Sequence, residues 1–290
     1  MLENSPFLVY TNEMKVSGKA VADIIAKKLQ AEVEKLAVKP TLVIILAGDN
    51  PASRIYVNNK IKRAKEVGVD ARLFEFSKDQ FQKCLETIDK LNKDKNIHGI
   101  IIQYPVFDDW DFDSLLAKID PKKDVDGFLQ GSPFFGATAV GVWEMLTAFA
   151  LQEGFKTTED FLNGKKIVLL GRGKTAGKPT RELLESKGFE VEVVSRETEN
   201  PEGVIKKGDV VISATGVKNI INKSNLKKGV YVIGVGVGKE IIDGQSKIYG
   251  DINEEEVAEV AKLYCPTIGG IGPLTIVSLL KNVIKSAKGI

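Results

Sequence analysis

A single histidine, His98, and two cysteines, Cys84 and Cys265, are the whole supply of imidazole and thiol in 290 residues. Three such side chains cannot close a four-ligand Cys/His metal cage, and two thiols cannot build a disulfide framework. Charge of one sign is also missing. The 41 Lys+Arg against 39 Asp+Glu leave a formal net charge of +2, without the basic excess of a nucleic-acid or membrane-surface binder. No stretch approaches the ~18 consecutive apolar residues of a membrane span. The N-terminal MLENSPFLVYTNE has neither a basic start nor the apolar run of a signal peptide, so a cytoplasmic protein is expected. Catalysis, if present, runs on Lys, Tyr, Asp, Glu, Gln or Ser, or on a cofactor.

What is there is ordinary globular material. Hydrophobic residues at 43% and charged residues at 28% are close to the average for a folded domain, so disorder does not dominate. At roughly 100–200 residues per domain the length suggests two. No repeat with a period of about 20–50 residues is visible. The runs TLVIIL, GIII and KIVLL are short and rich in β-branched residues, as buried parallel strands are.

Elements alternate. Helical spacing of Ala20, Ile24, Ile25, Leu29 and Val33 predicts a helix over 18–36, followed by a strand at 41–47. Asn50-Pro51 supplies an N-cap and a first helical residue for a helix ending at Gly68. A strand near 70–76, a helix near 79–93 and a strand at 98–104 complete this part. Beyond a loop-like LQGSPFFGATAVG, a helix over about 140–152 leads to strands at 166–171, 190–195, 209–213, 230–235 and 262–265. Helices are expected near 178–187 and 254–261, and a last one over 273–287. The pattern is that of parallel sheets covered by helices, the second a doubly wound, Rossmann-like unit.

Several residues sit where ligands bind in such folds. Gly171, Gly173 and Gly177 lie in a turn between strand and helix, where backbone N–H groups and a helix N-terminus suit a pyrophosphate. Their spacing is one residue longer than G-x-G-x-x-G, and an ordinary turn is the other reading. The next strand ends in Ser195-Arg196, a hydroxyl and a guanidinium suited to a 2′-phosphate, so NADP is favoured with NAD possible. Glu197 is close by, and a solvated strand-end arginine is the alternative. Ser53, Tyr56 and Lys60 are spaced to share one helix face, while Ala52, Ile55, Ile61, Ala64 and Val67 fall on a largely different stripe. A surface lysine beside a half-buried tyrosine explains the same spacing. Gln103 interrupts an apolar strand before Pro105, and is either a strand-end site residue or a buried glutamine satisfied by backbone. Asp124 and Asp126 precede Gly127. An extended chain would put both on one side, whereas a turn would spend them on backbone N–H groups.

Taken in order, AGDNPASRIYVNNKIKRAKEVGV, GIIIQYP, PKKDVDGF, GRGKTAGKP, GDVVISATG and GGIGPLT resemble the bifunctional methylenetetrahydrofolate dehydrogenase/methenyltetrahydrofolate cyclohydrolase family. The resemblance implies two α/β domains with a cleft between them. A folate-binding catalytic domain would take 1–143 and 273–290, and a Rossmann-like NAD(P)-binding domain 144–272. It implies oxidation of 5,10-methylenetetrahydrofolate with NADP and hydrolysis of the methenyl product, in a cytosolic homodimer, with no nucleic-acid or membrane partner. By position, Lys60 looks like the catalytic lysine and Tyr56 its partner near the folate, together with Ser53. Gln103 resembles the glutamine that positions the lysine, and Asp126 the carboxylate that grips the pterin. Gly171, Arg172, Gly173, Ser195, Arg196, Thr215 and Gly216 fall on the cofactor side, and Gly270, Gly272 and Pro273 in a loop closing over both ligands. Two departures stand out. Ala137-Thr138-Ala139 replaces the family's Cys-Thr-Pro after a shortened loop, and Ile268 replaces a proline. They leave open a dehydrogenase without cyclohydrolase activity. A Rossmann dehydrogenase of the shikimate type is the further alternative, against which the DVDG and GGIGP segments count.

Overall fold

The computed structural model describes residues 14–242 and 245–289. The N-terminal segment read above for a signal peptide lies outside the described residues. In chain order the elements are α1 (Gly18–Val33), β1 (Thr41–Leu46), α2 (Pro51–Val67), β2 (Asp70–Glu75), α3 (Phe81–Lys93), β3 (Gly99–Ile102) and α4 (Phe112–Leu116). Then come α5 (Ala137–Gln152), α6 (Thr158–Leu162), β4 (Ile167–Leu170), α7 (Gly177–Ser186), β5 (Val191–Val194), α8 (Pro201–Ile205), β6 (Val210–Ser213) and β7 (Val230–Gly234). The chain finishes with β8 (Val237–Ile242), β9 (Gln245–Gly250), α9 (Glu254–Val260), β10 (Ala261–Cys265) and α10 (Ile271–Ala287).

Among the described residues these elements form two compact units, one of residues 26–137 and 276–289, the other of residues 14–25 and 138–275. The sequence division kept the whole N-terminal part with the first unit. In the structure residues 14–25 pack with the second, because Val16 donates its N–H to Tyr264 O at 2.8 Å and Tyr264 donates to Met14 O at 2.8 Å, a parallel bridge beside β10. Gly18 lies so close to Gly270 O that a Cβ would sit 1.8 Å from it.

In the first unit a parallel sheet has the order β2-β1-β3. Central β1 is buried along its whole length, as a strand covered on both faces must be. Its partners are in register from Leu42↔Gly99 to Ile45↔Ile102. Helix α2 is bounded as its sequence predicts. The Asn50 side chain accepts from Ala52 N, Pro51 opens the first turn, and Gly68 (φ 89°) closes the last in the left-handed region. Its buried face is Ser53, Val57, Lys60, Ala64 and Val67. That corrects the expected separation of polar and apolar stripes: Ile55 is 62% exposed, and Lys60 lies in line with the core residues.

In the second unit the parallel order is β10-β7-β6-β4-β5, with β4 first in sequence and its successors β5 and β6 on opposite sides. This is the 2-1-3-4-5 doubly wound order, whose ligand crevice opens at the carboxyl ends of the first and third strands. The antiparallel hairpin β8–β9 and the short helices α4, α6 and α8 were not anticipated. Among the described residues no helix is long and apolar enough to cross a membrane.

The one histidine is part of the first sheet. Thr41 N donates to His98 Nδ1 at 3.1 Å, and His98 N donates back to Thr41 O at 3.0 Å. Burial lowers the His98 pKa, the Lys123 cation adds to this, and Asp94 opposes it. The folded state therefore resists a proton that the unfolded chain takes up below its ordinary value near 6.5, and stability falls as pH drops through that window. Asp124 acts in the opposite sense, because burial pushes its pKa up to about 6. Urea unfolding of wild type and His98→Asn at pH 7.5 and 5.5 separates the two. The wild type should lose more stability on acidification than the variant, and equal losses would show that His98 is not the titrating group.

Candidate functional site

In the first unit the loops after β1 and β3 leave neighbouring strands at their carboxyl ends, and α2 starts from one of them. This brings Lys60 to Gln103. Lys60 Nζ donates to Gln103 Oε1 at 3.0 Å, both residues being buried. Gln103 lies one residue past β3 rather than within it, and its backbone N–H donates to Ile45 O at 2.8 Å. Its amide Nε2 donates to Tyr104 O at 2.8 Å. With both ends of the amide engaged, its oxygen faces Lys60. Ser53 Oγ, about two turns before Lys60, makes a long contact of 3.5 Å to the same Tyr104 O. Lys60 Nζ also stands 4.9 Å from the centroid of the Tyr56 ring, within cation–π range when protonated.

Burial lowers the Lys60 pKa, and Asp126 counters part of this. Burial likewise raises that of Asp126, and Lys60 counters it. Desolvating an ammonium costs several kcal/mol even after relaxation, whereas each valine on the same helix face returns about 1.5–3 kcal/mol. Burial therefore shifts the balance toward the free amine, against the pull of Asp126. Lys60 is 5% exposed, so the surface-lysine reading does not apply.

The two aspartates divide their work. Asp124, 1% exposed, is spent on the turn: its carboxylate accepts from Gly127 N at 3.1 Å and Leu129 N at 2.7 Å. The extended arrangement expected for 124–126 gives way to this turn. Gly127 (φ 70°) is required there, since a Cβ would meet Phe134 O at 2.7 Å. Asp126, left partly accessible, is the aspartate coupled to Lys60.

In the second unit the glycine loop follows β4 as expected. Gly171 (φ 100°) turns the chain with its Cβ position 2.4 Å from Ala214 O, and Gly177 packs with its Cβ position 2.3 Å from Gly171 O. Gly173 is exposed and nothing lies within 4 Å of its Cβ position. A tight turn, an open approach and close helix–strand packing are the three duties of glycine in a dinucleotide loop. The extra residue in the spacing leaves them intact, so the loop fits a pyrophosphate. Ser195 and Arg196 follow β5, Arg196 being exposed. The neighbouring Glu197 carboxylate is engaged by Arg172 Nη1 at 3.0 Å. Thr215 and Gly216 follow β6, and Thr215 N donates to Asp251 Oδ2 at 2.7 Å, which also takes Ser213 Oγ at 2.7 Å. Asp251, fully buried, was missed by sequence reasoning, for it lies in a polar stretch after an unanticipated hairpin.

Gly270 is a packing glycine, its Cβ position 1.8 Å from Pro266 O. Gly272 has open space, and Pro273 lies in the first turn of α10, which begins at Ile271, two residues before the expected start. A concavity of ≈ 810 Å³ is lined by Leu162, Lys165, Phe189 and Glu192. It opens at the amino ends of β4 and β5, the wrong end of the sheet for the crevice.

Comparison with known proteins follows the two units. Residues 16–126 match the family model "Tetrahydrofolate dehydrogenase/cyclohydrolase, catalytic domain", and residues 136–290 match the corresponding NAD(P)-binding domain. The "Bifunctional protein FolD" of Enterococcus faecalis is 34% identical over 279 residues, covering 94% of this chain and 98% of its own length. The crystal structure of the bifunctional FolD methylenetetrahydrofolate dehydrogenase/cyclohydrolase from Campylobacter jejuni is 32% identical with a TM-score of 0.86, covering 95% of this chain and 98% of that one. That of the Trypanosoma brucei dehydrogenase-cyclohydrolase, complexed with NADP and an inhibitor, is 28% identical with a TM-score of 0.84, over 94% and 97%.

Proposed function

Because the chain belongs to the tetrahydrofolate dehydrogenase/cyclohydrolase family, we infer that it oxidises 5,10-methylenetetrahydrofolate with NADP and hydrolyses the methenyl product to 10-formyltetrahydrofolate. The observation that carries the second activity is the buried Lys60 amine hydrogen-bonded to Gln103. Despite the shortened loop and Ala137-Thr138-Ala139, the bifunctional reading is favoured over a dehydrogenase alone, because the relatives named above are bifunctional.

NADP, when bound, accepts the hydride that the methylene carbon gives up. The residues to hold it are the loop Gly171, Arg172 and Gly173, with Thr215 and Gly216. Ser195 and Arg196 suit the 2′-phosphate, the nearest acid, Glu197, being tied to Arg172. On the folate side Asp126 accepts from the pterin ring, Ser53 and Tyr56 line the folate, and Gly270, Gly272 and Pro273 form the ligand-facing loop at the start of α10. Loss of the hydride leaves a methenyl cation with its charge spread over two ring nitrogens. Water adds to that carbon and releases a proton. Neutral Lys60 takes it, its lone pair directed by the N–H that Gln103 holds. The carbon–N5 bond then breaks as the carbinol O–H gives up its proton to form the C=O and N5 receives one, and the formyl group stays on N10. The substrate cation works in the same direction as burial, keeping the amine unprotonated until water has lost its proton.

We read the assembly as a homodimer in the cytoplasm. The dimer is supported by β8 and β9, which pair only with each other among the described strands and expose Val237, Ile241 (81%) and Ile248. A two-stranded ribbon with open edges is marginal in water until another chain covers it. A monomer by sedimentation equilibrium at micromolar concentration would refute this. The cytoplasmic setting accords with two buried free thiols.

The functional reading is tested with Lys60→Met, which keeps an unbranched side chain of nearly the same length and removes the amine. Hydrolysis of methenyltetrahydrofolate should fall by about 10²-fold or more, the range of general acid–base catalysis, while the NADP dissociation constant stays within about twofold. Loss of NADP binding alongside hydrolysis would make Lys60 a structural residue.

A further inference from the structure

The strand-to-helix path that delivers Lys60 is rigid, but its acidic partner Asp126 stands on a long loop between Pro121 and Ala137. Something outside that loop must hold it. Asn282, on α10 and 3% exposed, reaches it from the other end of the sequence. Its Nδ2 donates to Val125 O at 2.9 Å and to Phe135 O at 3.3 Å. Val125 O belongs to the peptide that leads directly into Asp126, and Phe135 O to the returning arm of the loop. The next peptide is secured through both its carbonyl and its N–H. Ala137 N donates to Asp126 O at 3.3 Å, and Asp124 Oδ1 receives Gly127 N at 3.1 Å. Ser132 Oγ, donating to Asp124 O at 2.9 Å, ties the loop's middle to its start.

We propose that Asn282 is a positioning residue for folate binding: its single amide nitrogen pins both arms of the loop and thereby sets the peptide plane from which Asp126 is presented. An amide nitrogen with two hydrogens is suited to this task, because it can serve two carbonyls at once. An aspartate there would face two carbonyl oxygens with a third acceptor, and alanine would take the amide donor away from both, the buried Val125 O included. Asn282 does not touch the reacting atoms. It acts through Asp126, so the proposal rests on the reading of Asp126 as the pterin-binding carboxylate given above.

The experiment compares Asn282→Ala, Asn282→Ser and Asp126→Ala, measuring KM for 5,10-methylenetetrahydrofolate and KM for NADP on each full-length enzyme. Asn282→Ala removes both hydrogen bonds and is expected to raise the folate KM about tenfold or more, and to leave the NADP KM within about twofold. Asn282→Ser retains one donor and should recover part of the loss, and it serves as the test if the alanine variant does not fold. A merely structural asparagine would lower the active fraction and move neither KM, or move both together, and either result overturns the proposal. It is also overturned if Asp126→Ala raises the folate KM and neither Asn282 variant does. If Asp126→Ala itself leaves the folate KM unchanged, the reading of Asp126 fails, and the proposal falls with it for that separate reason.

Discussion

One buried hydrogen bond organises the first unit: the amine of Lys60 given to the amide oxygen of Gln103 at 3.0 Å. Charge is what makes it consequential. A lysine kept in water titrates far above neutrality and is a poor base at physiological pH, while one carried into a helix–sheet interface is pushed toward the free amine. Here the carrying is done by Val57, Ala64 and Val67, which share its helix face. The aiming is done by a glutamine whose other end is fastened to Tyr104 O. Asp126 offsets part of the desolvation, so burial and a nearby carboxylate act on the amine in opposite directions.

The parallel topology explains why these groups meet. In the β2-β1-β3 sheet, residues from the loops after β1 and β3 share the space beyond the strand ends, although Lys60 and Gln103 are 43 positions apart in the chain. The second unit uses the same geometry for a different purpose. Its loops after β4 and β6 present glycine backbone rather than side-chain chemistry, and Gly171 and Gly177 admit no Cβ because each lies against a carbonyl oxygen. The buried titratable pair sits in one unit, and backbone suited to phosphate sits in the other.

Much of this was legible in the sequence because it is written in local signals. Asn50-Pro51 and Gly68 bound α2, and the β-branched runs mark β1, β3 and β4. The three-and-four spacing of Ser53, Tyr56 and Lys60 placed them on neighbouring turns. What stayed hidden depends on contacts across the chain. Lys60 was expected apart from the apolar stripe, since hydropathy reads an ammonium as exposed and does not register a glutamine 43 residues away. The β8–β9 hairpin was invisible because Gly234, Gly236 and Gly238 stand at alternate positions and leave no alternating side-chain pattern to read. Asp124 and Asp126 look equivalent in sequence, and only the folded turn shows that one serves backbone and the other acts electrostatically on Lys60. Asn282 gave no signal at all, being an isolated amide in an apolar helix.

The most direct measurement is the titration of the Lys60 side chain itself, followed by NMR of selectively labelled lysine and assigned by the spectrum of Lys60→Met. The account predicts a midpoint below the ordinary lysine value of 10.5, moving lower still in Asp126→Asn, where the countering carboxylate is gone. A midpoint at or above the ordinary value, unmoved by that substitution, would mean that the amine stands in water and carries no proton for the reaction.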